Sequence, residues 1–286
     1  MVVGSTVKQK LLVFIVAYNA EKTISDVLHR IPSRLADKFE VEVLIIDDCS
    51  RDQTFERTQE IRAAKQLPFR LHVLYNPVNQ GYGGNQKLGF HFAIERGFDF
   101  VALIHGDGQY APECLPDLVE PLSQGVADAV MGSRMLTAGG ALRGGMPLYK
   151  YVGNRILTWI QNRVLRTDLS EFHSGYRVYS TNSLRSIPFE LNTDNFHFDT
   201  EIIIQLVAAR LRILEVGIPT YYGDEICYVN GWRYALNVIC TTFIARAQEF
   251  NLFYDRKFDC SPASDPVAHY TLKLGYESPV VSLEVV

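Results

Sequence analysis

No block of basic residues occurs in this chain: 28 Lys and Arg are spread among 32 Asp and Glu for a net charge of −4. Nucleic acid is therefore not an expected partner. The five cysteines (49, 114, 227, 240 and 260) include no C-x-x-C pair. That argues against structural zinc or a disulfide framework and fits a reducing cytoplasm, the expected location. Long hydrophobic runs are missing as well. The best candidates, residues 201–214 and 235–250, are broken by Arg210, Arg212, Arg246 and Gln248, so any membrane contact is expected to be peripheral, at the cytoplasmic face. The first residues, Met1 to Lys8, lack the layout of a signal peptide. Two nucleotide-binding signatures are also absent. There is no P-loop, and the turn after the first apolar run is Tyr18-Asn19-Ala20-Glu21 rather than the Gly-rich turn of a dinucleotide-binding domain.

Short apolar runs at residues 11–17, 41–46, 71–74 and 100–104 read as strands, with a fifth at 129–131. Helical composition and spacing fill 21–31, 53–65, 85–96 and 113–122 between them. Such alternation predicts an α/β fold with a mostly parallel sheet and helices on both faces. Further on, the pattern predicts helices over 148–165, 201–210 and 231–250, strands over 175–180 and 212–216, and a Gly-rich mobile loop over 137–147. One domain is expected over residues 8–250, followed by a tail or linker over 251–286.

Ligands of such sheets bind outside the carboxyl ends of the strands, and the unusual polar residues fall there. Tyr18 and Asn19 follow the first strand, Asp47 and Asp48 the second, and Asp107 the fourth. Asp107 lies between two glycines in His105-Gly106-Asp107-Gly108-Gln109. A lone carboxylate with open approach suits a hard cation whose remaining ligands are water and phosphate oxygens, as on a nucleoside diphosphate. Asp48 is placed to accept hydrogen bonds from a ribose or a base, and Asp52 to cap the following helix. Each alone would equally serve as a turn former or cap. The glycines of Gly81-Tyr82-Gly83-Gly84 admit either a phosphate or a close-packed loop.

These segments resemble a family-2 glycosyltransferase of the GT-A fold, most nearly the dolichol- or polyprenyl-phosphate sugar transferases. The matching stretches are Val16-Ala17-Tyr18-Asn19-Ala20-Glu21, Ile46-Asp47-Asp48-Cys49-Ser50, Asn79-Gln80-Gly81-Tyr82-Gly83, His105-Gly106-Asp107-Gly108-Gln109, Gly132-Ser133-Arg134 and Ser174-Gly175-Tyr176-Arg177. The resemblance implies a nucleotide-sugar donor (GDP or UDP) held by Ala17, Tyr18, Glu21, Asp48 and Gly81, and Mg²⁺ or Mn²⁺ on its diphosphate at Asp107 with Gln109 nearby. It also implies an inverting transfer to a polyprenyl or dolichyl phosphate, or to another glycan acceptor. One departure stands out: the first Asp of the family's D-x-D is His105 here. Imidazole is a softer ligand and leans the site toward Mn²⁺; a packed histidine is the other reading.

Departure of a nucleoside diphosphate leaves negative charge that a metal and cations stabilise. Arg134, Lys150, Arg143 and Arg177 are the candidate cations, with Arg134, Lys150 and Arg177 also placed to hold an acceptor phosphate. A lipid phosphate, whose second pKa is about 6, attacks without a base. A hydroxyl acceptor needs one, and the segment containing His197, Asp199 and Glu201 supplies candidates, Asp199 first, although Asp199 could instead be a helix N-cap. Tyr149, Tyr151, Ile156, Trp159 and Ile160 form an apolar helix face for a membrane or lipid groove, or for packing on the sheet. Two other functions share the fold class. A nucleotide-sugar-binding or scaffolding module without strong catalysis is suggested by His105; a sugar nucleotidyltransferase lacks its Gly-rich, Arg-bearing loop. Residues 269–279 resemble the linker before a methyltransferase-like domain in some two-domain glycosyltransferases.

Overall fold

The computed structural model describes residues 8–219, 221–222 and 230–260. Its element order is β1 (Gln9–Ala17), α1 (Ile24–His29), α2 (Leu35–Lys38), β2 (Phe39–Asp47), α3 (Thr54–Ala63), β3 (Arg70–Tyr75), α4 (Gly81–Glu95), β4 (Phe100–His105), α5 (Leu115–Ser123) and β5 (Ala129–Ser133). There follow α6 (Gly140–Arg143), α7 (Leu148–Leu165), β6 (Arg177–Ser180), α8 (Thr181–Arg185), α9 (Phe198–Ala208), β7 (Ile213–Gly217) and α10 (Gly231–Glu249). The seven strands form one sheet in the order β3-β2-β1-β4-β6-β5-β7. All pairings are parallel except those of β6, which runs against both β4 and β5. The expected mostly parallel α/β sheet is present.

Why the central strands read as unbroken apolar runs is plain from β1. Successive side chains of a strand point to opposite faces, and both faces here are covered. Leu11, Val13, Ile15 and Ala17 join one core with α1, α3 and α5. Leu12 and Phe14 join the other with α4, α8, α9 and α10. A sheet covered on both sides leaves no polar face to alternate.

Two expectations change. Residues 81–84 are the first turn of α4 rather than a loop, and the Gly-rich stretch 137–147 contains the short helix α6. The packing also runs past residue 250. Phe258 and Cys260 are buried in the second core, and Lys257 Nζ donates to the fully buried Glu201 at 2.7 Å. The remainder of the expected tail, with its linker-like stretch at 269–279, lies outside the described residues.

Helix α4 approaches β1 closely enough to require Gly89. A Cβ there would lie 2.1 Å from the Phe14 ring, and Phe14 is itself fully buried. Gly89→Ala is therefore expected to cost about 1–3 kcal/mol by overpacking, which urea unfolding would read. An unchanged midpoint would mean that the ring has room to move.

Candidate functional site

Strand register brings the expected residues to one edge. Ala17 pairs with Asp47 across β1 and β2, and Val16 with His105 across β1 and β4. The turns beyond these ends are then stitched together. Asp48 N donates to Ala17 O and Gly106 N to Val16 O, each at 2.9 Å. Asn19 N donates to Ser50 Oγ at 2.8 Å, and Arg51 N returns a bond to Asn19 Oδ1 at 2.9 Å. Asn19 and Cys49 carry positive φ, 50° and 62°, a cost that non-glycine residues bear where a turn is held from several sides. Asp52, expected as a helix cap, accepts from Thr54 N at 3.1 Å and braces Glu21 N at 3.1 Å, while the cap position falls to Gln53. Glu21 Oε2 in turn accepts from Gln53 N at 3.3 Å.

The two aspartates of this edge differ. Asp47 is fully buried, and burial raises its pKa above the usual carboxylate range. It accepts from Ser50 N at 2.7 Å, so it belongs to the turn. Asp48 is almost fully buried; Asn76 Nδ2 and Gln80 N both donate to its Oδ1 at 2.8 Å. Tyr18 is more than one-third exposed beside it, and Ala17 is buried. Gly81 answers a question the sequence left open. Its φ is 78°, and a Cβ would meet the Asp194 carbonyl at 2.6 Å. Gly83 N donates to that same carbonyl at 2.8 Å. These glycines let the 193–194 segment pack closely on the start of α4.

At the end of β4, Asp107 is solvent-exposed and its Oδ1 accepts from Gln109 N at 2.9 Å. This is an Asx turn, helped by Gly108 at φ 77°. The other oxygen, Oδ2, faces His105 Nδ1 at 4.0 Å. The imidazole stands edge-on between Tyr82 and Tyr110, with centroid distances of 5.4 and 5.2 Å. Its Nε2 lies 3.0 Å from the Tyr82 hydroxyl, which donates to Asp199 Oδ2 at 2.9 Å. Gly175 makes the space, since a Cβ there would fall 2.4 Å from the ring. Burial lowers the His105 pKa, with Arg177 and Arg134 adding to it against Asp107 and Asp199. Among the described residues no group of three His, Cys, Asp or Glu could enclose a metal. The pair His105–Asp107 fits instead a cation that takes the rest of its ligands from phosphates and water.

The basic residues are where the expectations change most. Arg134 is buried against Glu171, which is also buried. Its Nε donates to Glu171 Oε1 at 2.9 Å, its Nη1 to the Tyr222 hydroxyl at 2.8 Å and its Nη2 to His173 O at 3.0 Å. Burial acts to lower the Arg134 pKa, but Glu171 and the nearby tyrosines outweigh it and the net shift is upward. Arg134 is thus a paired internal charge rather than an open crevice cation. Arg177 is fully enclosed as well. It donates to Ser174 O at 2.7 Å, Asp199 O at 2.8 Å and Phe172 O at 3.0 Å. With those donors engaged it cannot reach an acceptor phosphate, and that expectation is corrected. Lys150 Nζ sits 5.4 Å over the Tyr222 ring, and Arg143 is exposed, with Nη2 bonded to Ala138 O at 3.2 Å.

Asp199 is not a helix cap, since His197 holds that position. It accepts from Tyr82 and from Gln86 Nε2, the latter at 3.3 Å, and stands 3.5 Å from Arg177 Nη1. Glu201 is turned inward to Lys257 and Thr193 N. Sequence reading missed Glu171, Tyr82 and Glu215. Glu215 accepts from Ser170 N at 2.7 Å and Glu171 N at 3.1 Å, so it holds the segment carrying Glu171. Nothing local marks these partners, which lie tens of residues from the groups they serve.

Helix α7 turns its apolar face outward, one of the two placements its sequence allowed. Its buried residues include Asn154, Thr158 and Gln161, whereas Tyr149, Val152, Ile156 and Trp159 are exposed. Tyr151, Val152, Arg155, Ile156 and Trp159 line a shallow groove of about 350 Å³. Helix α7 packs on α10 rather than on the sheet, and α10 exposes Trp232, Leu236 and Phe243. Among the described residues no helix is long and apolar enough to cross a membrane.

The model of the family described as Glycosyl transferase family 2 matches residues 12–187. An undecaprenyl-phosphate mannosyltransferase of Micrococcus luteus is 28% identical over 222 residues, 76% of this chain and 85% of that protein. A UDP-N-acetylglucosamine–dolichyl-phosphate N-acetylglucosaminyltransferase of Methanococcus voltae is 27% identical over 225 residues, 75% of this chain and 87% of that one. Among solved structures, glucosyl-3-phosphoglycerate synthase from Mycobacterium tuberculosis, in complex with Mn²⁺, UDP and glucosyl-3-phosphoglycerate, superposes with a TM-score of 0.60 at 20% identity. The match covers 87% of this chain and 82% of that one.

Proposed function

The chain belongs to glycosyl transferase family 2 and is a glycosyltransferase; from that premise we propose that it moves a sugar, with inversion and metal dependence, from a UDP- or GDP-sugar to a polyprenyl or dolichyl phosphate. One observation carries the reading. A single sheet edge presents Asp48 and Tyr18, suited to a nucleoside, beside an exposed Asp107 suited to a diphosphate-bound cation.

In this reading Asp48 meets the ribose or base through Oδ2, its other oxygen being tied to Asn76 and Gln80. Tyr18 and Glu21 flank the base, and Ala17 lets it approach the end of β1. Asp107 is the main metal ligand, with His105 and Gln109 at its side. The cation, Mn²⁺ or Mg²⁺, supplies charge stabilisation to the departing diphosphate. A phosphate oxygen of the acceptor attacks the anomeric carbon on the face opposite the bond that breaks, so the configuration inverts. That oxygen is already ionised near neutral pH, and no base has to be found. The structure suits this, because Asp199 is committed to Tyr82, Gln86 and Arg177. Lys150 and Arg143 are the cations proposed to meet the acceptor phosphate, while Arg134 and Arg177 hold the loops around it. The outward apolar face of α7 and α10 is proposed to rest at a membrane surface, where a lipid-linked acceptor resides.

Calorimetric titration of UDP-sugars and GDP-sugars, each with Mn²⁺, Mg²⁺ or EDTA, tests the donor side. One donor class should bind, and EDTA should weaken it at least tenfold. Polyprenyl phosphate should then accept the sugar. Absence of binding by every nucleotide under every metal condition overturns the reading, and binding without transfer favours a carrier module.

A further inference from the structure

We propose that Tyr82 and Asp199 lock His105 in its Nε2–H tautomer, so that a bare Nδ1 faces Asp107 and the pair forms a seat that favours Mn²⁺ over Mg²⁺. The proposal rests on the metal-dependent reading above and names two positioning residues for it.

The argument is a count of protons. A tyrosine hydroxyl has one proton to give. Tyr82 has two partners for it, Asp199 Oδ2 at 2.9 Å and His105 Nε2 at 3.0 Å. A carboxylate can only accept, and Asp199 beside the Arg177 guanidinium is set as one. The proton therefore goes to Asp199. The hydroxyl is left as an acceptor toward Nε2, which must carry the hydrogen. In a neutral imidazole the second nitrogen then has only a lone pair.

That lone pair faces a carboxylate oxygen 4.0 Å away. Two acceptors cannot satisfy each other, and 4.0 Å is too long for a hydrogen bond. It is within the roughly 4.0–4.4 Å that two metal–ligand bonds of about 2.0–2.2 Å each can span, so one cation can reach both groups. A divalent cation reconciles the two groups, and imidazole shifts the preference away from Mg²⁺ toward a softer ion. The ring's freedom to turn away is small. Tyr82 and Tyr110 hold it edge-on from two sides, Gly175 backs it without a Cβ, and Phe196 stacks on Tyr82 at 5.2 Å. A hydrogen-bond partner on the second nitrogen is the usual way proteins orient a ligating histidine.

Long-range ¹H–¹⁵N NMR on ¹⁵N-histidine protein, with His105 assigned through His105→Gln, reads the tautomer directly. Spectra of metal-free wild type should show Nε2–H at His105, and Tyr82→Phe should lose the single tautomer. Mn²⁺ affinity is then followed by EPR in the presence of UDP or GDP. It should weaken about 10–100-fold in Tyr82→Phe, and the Mn²⁺-to-Mg²⁺ preference should collapse in His105→Gln. Near-UV circular dichroism matching wild type would separate these effects from misfolding. An Nδ1–H signal in wild type overturns the proposal, as does an unchanged tautomer in Tyr82→Phe. Unchanged Mn²⁺ affinity despite a released tautomer overturns the seat. Should wild type bind neither nucleotide with any metal, the proposed function falls and the cation seat with it. The metal-free spectra would then judge the tautomer lock alone.

Discussion

Asp107→Asn is expected to lower sugar transfer on the order of 10²–10³-fold while leaving the melting temperature close to wild type. The two halves of that expectation have separate causes. Asparagine keeps an oxygen for Gln109 N, and Gly108 continues to supply the positive φ of the turn, so the loop persists. What is lost is a full negative charge at an exposed position on the sheet edge. A cation then has no carboxylate to seat it, and the departing diphosphate loses its counter-charge. Steady-state transfer with saturating Mn²⁺, beside a thermal melt, checks both. A variant with full activity would remove Asp107 from the mechanism.

The second large effect falls on stability. Arg134→Met is expected to destabilise the fold by about 3–5 kcal/mol, because Glu171 keeps its burial and loses its charged partner. Asn154 still donates to Glu171 Oε1 at 2.8 Å, which a buried carboxylate cannot live on. Adding Glu171→Leu should recover much of the loss. The pH dependence has a definite sign. In wild type, burial would raise the Glu171 pKa, but Arg134 outweighs it and the folded value is depressed. Its contribution is thus present above the ordinary carboxylate pKa and lost as pH falls through the depressed value. With the Arg134 guanidinium gone, burial, the largest influence, outweighs the remaining hydrogen bonds from Asn154 and the residue-134 amide, and the folded value rises above the unfolded one. The variant then loses stability as pH climbs through that raised value. Denaturant midpoints of the two proteins should converge from pH 7 toward about pH 4. A gap that does not narrow would assign the loss to packing.

Strand identity was legible because the runs 11–17, 41–46 and 100–104 are apolar, short and bounded by polar turns. It remains legible in the structure because both sheet faces are buried. The positions of Asp48 and Asp107 followed from the same pattern, since strand ends dictate where a parallel sheet offers its ligands. Gly81 and Gly83 were ambiguous because the features requiring them, the Asp194 and Thr193 carbonyls, lie more than a hundred residues away. Arg134 and Arg177 looked like open cations for a similar reason: their partners Glu171 and Asp199 join them only through folding. Burial of a charge is a property of the fold, and no local spacing announces it. The side to which the α7 aromatics turn stayed open for the same reason, because an amphipathic stripe says that two faces differ but not which one is wet.

Consider finally the start of α4. Within four residues, Gln80 N is anchored to Asp48, Gly83 N to the carbonyl of Asp194, and the Tyr82 hydroxyl to Asp199. Two parts of the chain separated by well over a hundred positions thereby share one short fulcrum. Whatever settles against Asp48 stiffens a segment that leads directly to the 192–201 stretch, so donor occupancy should be felt there without any large rearrangement. Slowed amide hydrogen exchange at Gln80 and Gly83 would be the audible note of that shared hinge, sounded from either end.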